Sequence, residues 1–301
     1  MRGYVALLLL LAAIWGASFM FIKIAVDELA PTTTMFLRLG FSALPLLALV
    51  VYKLGLKPAA AELRAVTRSA IILGVVNTAL PFTLIAWGET KIDSGVAAIG
   101  NASLPIFVAI LAFRFRKSER ATGSRLFGVL LGLAGVAVLA GVDPKGGWAG
   151  VAGTLAVVAA SFSYAVGTLY TQGILQDIRN DVLAAASITW GAILLGPFGA
   201  IQAPSHFPTW GAIGAVLALA LLGTVAGQLI YFRMIYAYGS ARASLVVYLL
   251  PVTALFYGAL LLGEAITVSA IVGLALILTG TAFGSGVLRM PRRGAAVATA
   301  P

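Results

Sequence analysis

The residues able to do chemistry in this sequence are few, and most stand inside apolar runs. Trp15 and Ser18 lie in the first run, Asn77 and Thr78 in the third, and Asn101 and Ser103 in the fourth. Ser161, Ser163 and Tyr164 follow in the sixth, Thr224 in the eighth, and Tyr248 with Thr253 in the ninth. Such hydroxyls, amides and rings can hold and release a small organic molecule, as a cavity with aromatic walls and a few polar points does. They do not make a reaction centre. No histidine or carboxylate pair stands at metal-ligand spacing, no serine–histidine–acid set lies within reach of one leaflet, and no Gly-x-x-x-x-Gly-Lys loop is present. The chain has no cysteine, which excludes disulfides and thiolate metal sites. The expectation is therefore no enzyme, no cofactor and no metal.

These polar groups differ in what they imply. A serine or threonine in an apolar helix usually bonds back to its own backbone. Asn77 and Asn101 are costlier to bury, because an amide has several donors and acceptors to satisfy. Membrane aromatics gather at the interfaces, yet Trp15 and Tyr164 fall near the middle of their runs. Among the charges, Lys23 is expected to reach outward and meet Asp27 or Glu28. Arg38 lies roughly two turns inside its run; pairing with a structural partner and attraction of a substrate carboxylate are both open. Glu89 stands near the outer end of the third run, so no carboxylate is expected at mid-depth. His206 falls in an outer loop. Pro81, Pro105 and Pro251 should bend the third, fourth and ninth runs, with Pro105 and Pro251 as the hinge pair.

The elements that must position these residues are plain from composition. Of 301 residues, 61% are apolar and 10% charged, against roughly 45–50% and about 25% in soluble domains. Ten apolar segments stand out: residues 4–26, 32–52, 69–88, 94–113, 124–142, 148–170, 182–201, 210–232, 243–262 and 266–288. Each is about long enough to cross a bilayer. None alternates with the period of a membrane barrel, so an all-α membrane protein of ten transmembrane helices is expected. Arg2 ahead of a leucine run could mark a secretory signal, but the run is too long and lacks a small-x-small cleavage site. Residues 289–301 read as a basic, disordered cytoplasmic tail.

The net charge of +10 is topological. With the amino terminus in the cytoplasm, sixteen lysines and arginines fall on that side, only Lys91 and Lys145 on the other, and Lys23 and Arg38 within spans. That asymmetry is the positive-inside rule and places both termini in the cytoplasm. No soluble basic module exists to read nucleic acid.

The two halves resemble each other. Glu119, Gly128 and Gly135 match Glu264, Gly273 and Gly280 at a shift of 145, Pro105 and Ser94 match Pro251 and Ser240 at 146, and Trp15-Gly16 matches Tyr164-Ala165 at 149. The expected division is residues 1–145, a first five-helix repeat, and 146–288, a second. Five is odd, so the repeats must enter the membrane from opposite sides, as in carriers that rock one repeat against the other. Spans 1, 3, 4, 6, 8 and 9 hold the polar groups and should line a central cavity. Span 5 has none between Leu126 and Val142 but carries Gly128-x-x-x-Gly132, a close-packing spacing. It and span 10 are read as peripheral supports or dimer contacts.

These residues resemble the drug/metabolite transporter superfamily, in its ten-helix EamA type. The resemblance covers residues 4 to about 288 and rests on Trp15-Gly16-Ala17-Ser18-Phe19 with Lys23, on Arg38, and on Pro105 through Glu119. In the second half it rests on Ser163-Tyr164-Ala165, Pro251 through Glu264, Gly273 and Gly280. It implies a bacterial inner-membrane secondary transporter exporting neutral or aromatic amino acids or related metabolites, as monomer or homodimer. The alternatives are a multidrug or other small-metabolite exporter of the same fold, and a non-transporting membrane scaffold or receptor. The superfamily's four-helix multidrug members carry a buried glutamate in their first helix. This chain has none there, which argues against proton-coupled export of cationic drugs.

Overall fold

A computed structural model describes residues 2–115, 123–141, 147–174, 178–284 and 288. Glu119, most of the basic residues between spans 4 and 5, Lys145 and the tail 289–301 lie outside the described residues. What is described is helical, with no strand among the described residues. We number ten rods. Helix 1 is Arg2–Val26 and helix 2 Pro31–Leu54. Helix 3 runs from Thr67 to Glu89, and helix 4 comprises Ser94–Asn101 and Leu104–Phe115. Helix 5 is Ser124–Gly141, helix 6 Trp148–Ile174, helix 7 Asn180–Ile201 and helix 8 Trp210–Tyr238. Helix 9 is Val246–Leu261 and helix 10 Val268–Gly284. Seven of these are long and apolar enough to cross a membrane; helices 5, 9 and 10 are shorter apolar helices.

Local chemistry sets the boundaries. Pro31 opens helix 2, where its missing N–H costs nothing. Gly55 closes it at φ 83, a conformation that a side chain would strain. A short helix, Leu56–Ala65, then leads to helix 3.

Helices 3 and 8 share a feature that the apolar pattern does not show. Each is interrupted by a π-helical turn, Gly74–Ala79 in one and Leu219–Ala226 in the other, which begin 145 residues apart. In helix 3 the cause is Pro81. The Leu80 N–H reaches the Val75 carbonyl, five residues back, and Pro81 has no N–H for the next carbonyl, that of Val76. In helix 8 the Gly227 N–H reaches Leu222 rather than Gly223. Each turn thus leaves a carbonyl for a side chain. The predicted bend at Pro105 takes the form of a break, helix 4 stopping at Asn101 and resuming at Leu104. Pro251 lies within continuous helix 9.

Packing follows an exchange of helix n for helix n+5. Helix 1 packs on 8 and 9, and helix 6 on 3 and 4; helix 2 packs on the π turn of 8, and helix 7 on that of 3. The pairs 2–7, 4–9 and 5–10 exchange into themselves. The exchange is incomplete: helix 1 also packs on helices 3 and 4, without a match of like extent between helix 6 and helices 8 and 9. Helices 5 and 10 lie against each other on glycines. A Cβ on Gly280 would sit 2.6 Å from the Gly128 carbonyl oxygen and 2.7 Å from the Gly132 Cα, so backbone meets backbone there. The close-packing spacing of span 5 thus serves a contact within the chain.

Candidate functional site

Helices 1, 2, 3, 6 and 8 converge at the two π turns. The Trp15 indole N–H donates to the Gly223 carbonyl at 3.0 Å, and its ring lies 5.4 Å from that of Tyr231. Ser163 of helix 6 donates to the Val76 carbonyl at 2.7 Å. The first helix of each half thereby satisfies the carbonyl freed in the third helix of the other. Each such bond offsets a buried acceptor that would otherwise cost about 1–3 kcal/mol.

Arg38 lies at the centre of this convergence, 7% exposed. Its Nε donates to Thr224 Oγ1 at 3.1 Å, and Thr224 in turn donates to the Leu219 carbonyl. The guanidinium carbon stands 4.1 Å from the centre of the Phe82 ring, a contact worth up to about 2 kcal/mol when desolvated. Phe82 meets the ring of Tyr164 edge-on at 6.3 Å. On the other side, Ser18 Oγ and the Arg38 Nη2 both border Gly223, 2.7 and 3.8 Å from where its Cβ would lie. The two terminal nitrogens of Arg38 make no hydrogen bond to a described residue. A planar donor fork of this kind matches a carboxylate in both spacing and charge.

The residues singled out from sequence fall into three groups. Ser18 borders Gly223 beside Arg38, Tyr164 meets the Phe82 ring that lies against Arg38, and Trp15 holds the Gly223 carbonyl, with Ser18 Oγ donating to the Ile14 carbonyl. Thr78, Ser103, Ser163 and Thr253 spend their hydroxyls on carbonyls: Thr78 on Gly74 beside Gly191 of helix 7, Ser103 on Gly100, and Thr253 on Ala12 of helix 1. Asn101 accepts from Ser161 at the break in helix 4, while Asn77 is half-buried against Gly167 of helix 6 and Tyr248 is half-buried in the first turn of helix 9. Sequence reasoning left helix 2 out of the lining and did not single out Phe82. An arginine two turns inside an apolar run with no acid in register was the available signal for the first, and Phe82 beside Pro81 for the second.

One expectation about charge is overturned. Lys23 does not turn outward to Asp27 or Glu28. Its ammonium donates to the carbonyls of Glu89 at 2.7 Å and Ile92 at 3.1 Å, because the end of helix 3 presents unpaired carbonyls that attract a cation. Glu28 instead accepts from the backbone and side chain of Thr209, which holds its carboxyl below the usual range. Glu89 ends helix 3, and its side chain is wholly buried there. Around Lys23 a cavity of about 320 Å³ opens, lined by Asp27, Asp93 and residues 262–265. There Glu264 accepts from the Ser94 and Gly95 amides and from Ser94 Oγ, capping helix 4. No group of three or more metal-ligating side chains occurs among the described residues.

Comparison with known proteins places this geometry. The EamA-like transporter family matches residues 2–141 and 151–285. An uncharacterised transporter of Archaeoglobus fulgidus is 29% identical over 91% of this chain and 95% of its own length. A probable amino-acid metabolite efflux pump of Salmonella typhimurium is 27% identical over 96% of this chain and 97% of its own, and one of Escherichia coli 27% over 91% and 92%. A solved crystal structure with 17% identity superposes with a TM-score of 0.64 over 95% of this chain and 97% of its own, and so shares the fold.

Proposed function

Since the chain belongs to the EamA-like transporter family, whose members are transporters and not enzymes, we propose that it is a secondary carrier exporting small amino acids or closely related metabolites by alternating access. The observation that carries the substrate class is Arg38. A guanidinium buried among five helices, with both terminal nitrogens unspent and aromatic rings beside it, suits a carboxylate attached to an apolar or aromatic body. The relatives that are called amino-acid metabolite efflux pumps favour the same class.

Alternating access draws on the helix packing. In this reading all ten rods cross the inner membrane, the two halves are threaded in opposite senses, and both termini face the cytoplasm. The exchange of partners n and n+5 supports two related five-helix units, and the π turns at equivalent places support a common origin. The unmatched packing of helix 1 on helices 3 and 4 is what one of two states would show: one face tied, the other able to part. The break at Asn101–Leu104, just before Pro105, is where helix 4 would bend, and Pro251 is its counterpart in helix 9.

The test is exchange across liposomes. Vesicles holding the pure protein and unlabelled neutral or aromatic amino acids should take up the same labelled compounds without a pH gradient. Exchange no faster than in empty vesicles over a broad panel would reject the substrate class; a growth-resistance panel of drugs would then take its place.

A further inference from the structure

Glu89 is the last residue of helix 3 and its side chain is 0% exposed, with neither carboxylate oxygen hydrogen-bonded to a described residue. Two cations act on it electrostatically, Lys23 of helix 1 and Arg38 of helix 2, as does one acid, Glu264. Neither cation donates to it. Lys23 spends its ammonium on the Glu89 and Ile92 carbonyls, and the one hydrogen bond from Arg38 goes to Thr224. Helix 6 and the first half of helix 4, which also pack here, carry no charged side chain. Beyond Lys23 lies the acid-lined cavity, with Asp27, Asp93 and Glu264 on its wall. Burial disfavours the charged form of a carboxylate that no described group hydrogen-bonds, and a proton on the group neutralises it in place.

We propose that Glu89 is a proton-binding site of this carrier, filled from the acid-lined cavity, and that Lys23 is the switch that answers it. With Glu89 protonated, Lys23 stays on the carbonyls and ties helix 1 to the end of helix 3. When the proton leaves to water in the cavity, the carboxylate regains its charge and Lys23 moves from the carbonyls to it. The bond to Ile92 in the helix 3–4 connection is then given up, while helix 1 stays joined to the end of helix 3 through the new ion pair. The step balances as one proton exchanged between a carboxyl group and water, with no other reactant. Because Arg38 also acts on Glu89, the proton and a carboxylate held at Arg38 affect each other's binding. This deepens the carrier reading and rests on it only for flux; the proton site itself is read without flux.

Two measurements on the full-length protein separate the possibilities. Infrared difference spectra over a pH titration should show a protonated-carboxyl band that is lost as pH rises. The band should be absent from Glu89→Gln and shifted in its titration by Glu89→Asp. In liposomes, amino-acid exchange by the wild-type protein should change with the pH of the cavity side, and that dependence should vanish in Glu89→Gln. Lys23→Met should keep the infrared band but weaken the response of flux to pH. A Glu89→Gln spectrum with the wild-type titrating band, or a Glu89→Gln flux with the wild-type pH profile, would overturn the proposal. Should Glu89→Gln fail to fold, identical titrations in the wild type and Glu89→Asp would overturn it. Absence of any wild-type exchange would sink the carrier reading alone, leaving the infrared titration to decide the proton site.

Discussion

Arg38 carries the substrate argument, and its replacement is the most direct check of it. Losing a buried charge contact to a carboxylate costs about 2–5 kcal/mol, so Arg38→Gln should lower amino-acid exchange by roughly thirtyfold or more. Arg38→Lys, a point charge without the fork, should restore part of it. Equal flux in all three proteins would remove Arg38 from the site. Trp15 and Ser163 act differently, by satisfying the carbonyls of the π turns. Trp15→Phe keeps a ring but frees the Gly223 carbonyl, and Ser163→Ala frees that of Val76. Each should cost about 1–3 kcal/mol, read as a lower unfolding temperature in detergent. At Glu28, contacts from Thr209 hold the carboxyl below its usual range, so the pair stabilises the fold at pH values above that range. That contribution is lost as pH falls through the folded value. Thr209→Val should therefore lower the unfolding temperature most at neutral pH, the gap narrowing in acid to what the lost cap on helix 8, where Thr209 accepts from the Ala212 N–H, costs.

At the scale of elements, the pair of helices 5 and 10 is a support whose glycines bring two backbones together. Gly280 faces Gly128 and Gly132 with no room for a side chain. Gly280→Leu should destabilise by about 1–3 kcal/mol or more through forced separation of the rods, measured by thermal unfolding. It should leave the pH response of any residual flux unchanged, since Glu89 lies on helix 3. The π turns have the opposite character. They loosen helices 3 and 8 where helices 2 and 7 cross them, and side chains from helices 1 and 6 hold them. A turn with a weakened ladder, pinned by a single bond, is a natural place for a rod to change register.

For the whole molecule the decisive question is how the chain threads the bilayer. Its lack of cysteine makes the experiment clean. Single cysteines at Lys57, in the short helix after helix 2, and at His206, between helices 7 and 8, should react with a membrane-impermeant thiol reagent from opposite sides. Helices 2 and 7 are counterparts under the exchange, so opposite labelling is what inverted halves require. Labelling of both from one side would overturn the inverted arrangement, and with it the alternating-access mechanism.

Much of this protein was legible before any coordinates. Apolar runs of bilayer length, a scarcity of charge and no alternation of a barrel strand leave a chain in lipid with helices, which satisfy their own backbone. The inventory of reactive side chains offered no catalytic set, and the motif at Trp15–Phe19 with Lys23 and Arg38 pointed to the family that the comparisons bear out. Depth along a helix is also readable, which is why Trp15, Ser18 and Tyr164 were chosen. Azimuth is not. Whether Thr78 turns toward a cavity or toward Gly191 depends on the packing of helix 7, and no local pattern encodes it. The π turns shift the phase of helices 3 and 8, so even a correct periodicity would misplace the side chains on the far side of each turn. Only the tertiary structure decided that Lys23 bonds to the carbonyls of Glu89 and Ile92 and that the side chain of Glu89, at the very end of a helix, is buried. Those outcomes depend on which helix ends meet in space, and contacts between residues 66 positions apart, such as Lys23 with Glu89, are set by the assembled fold.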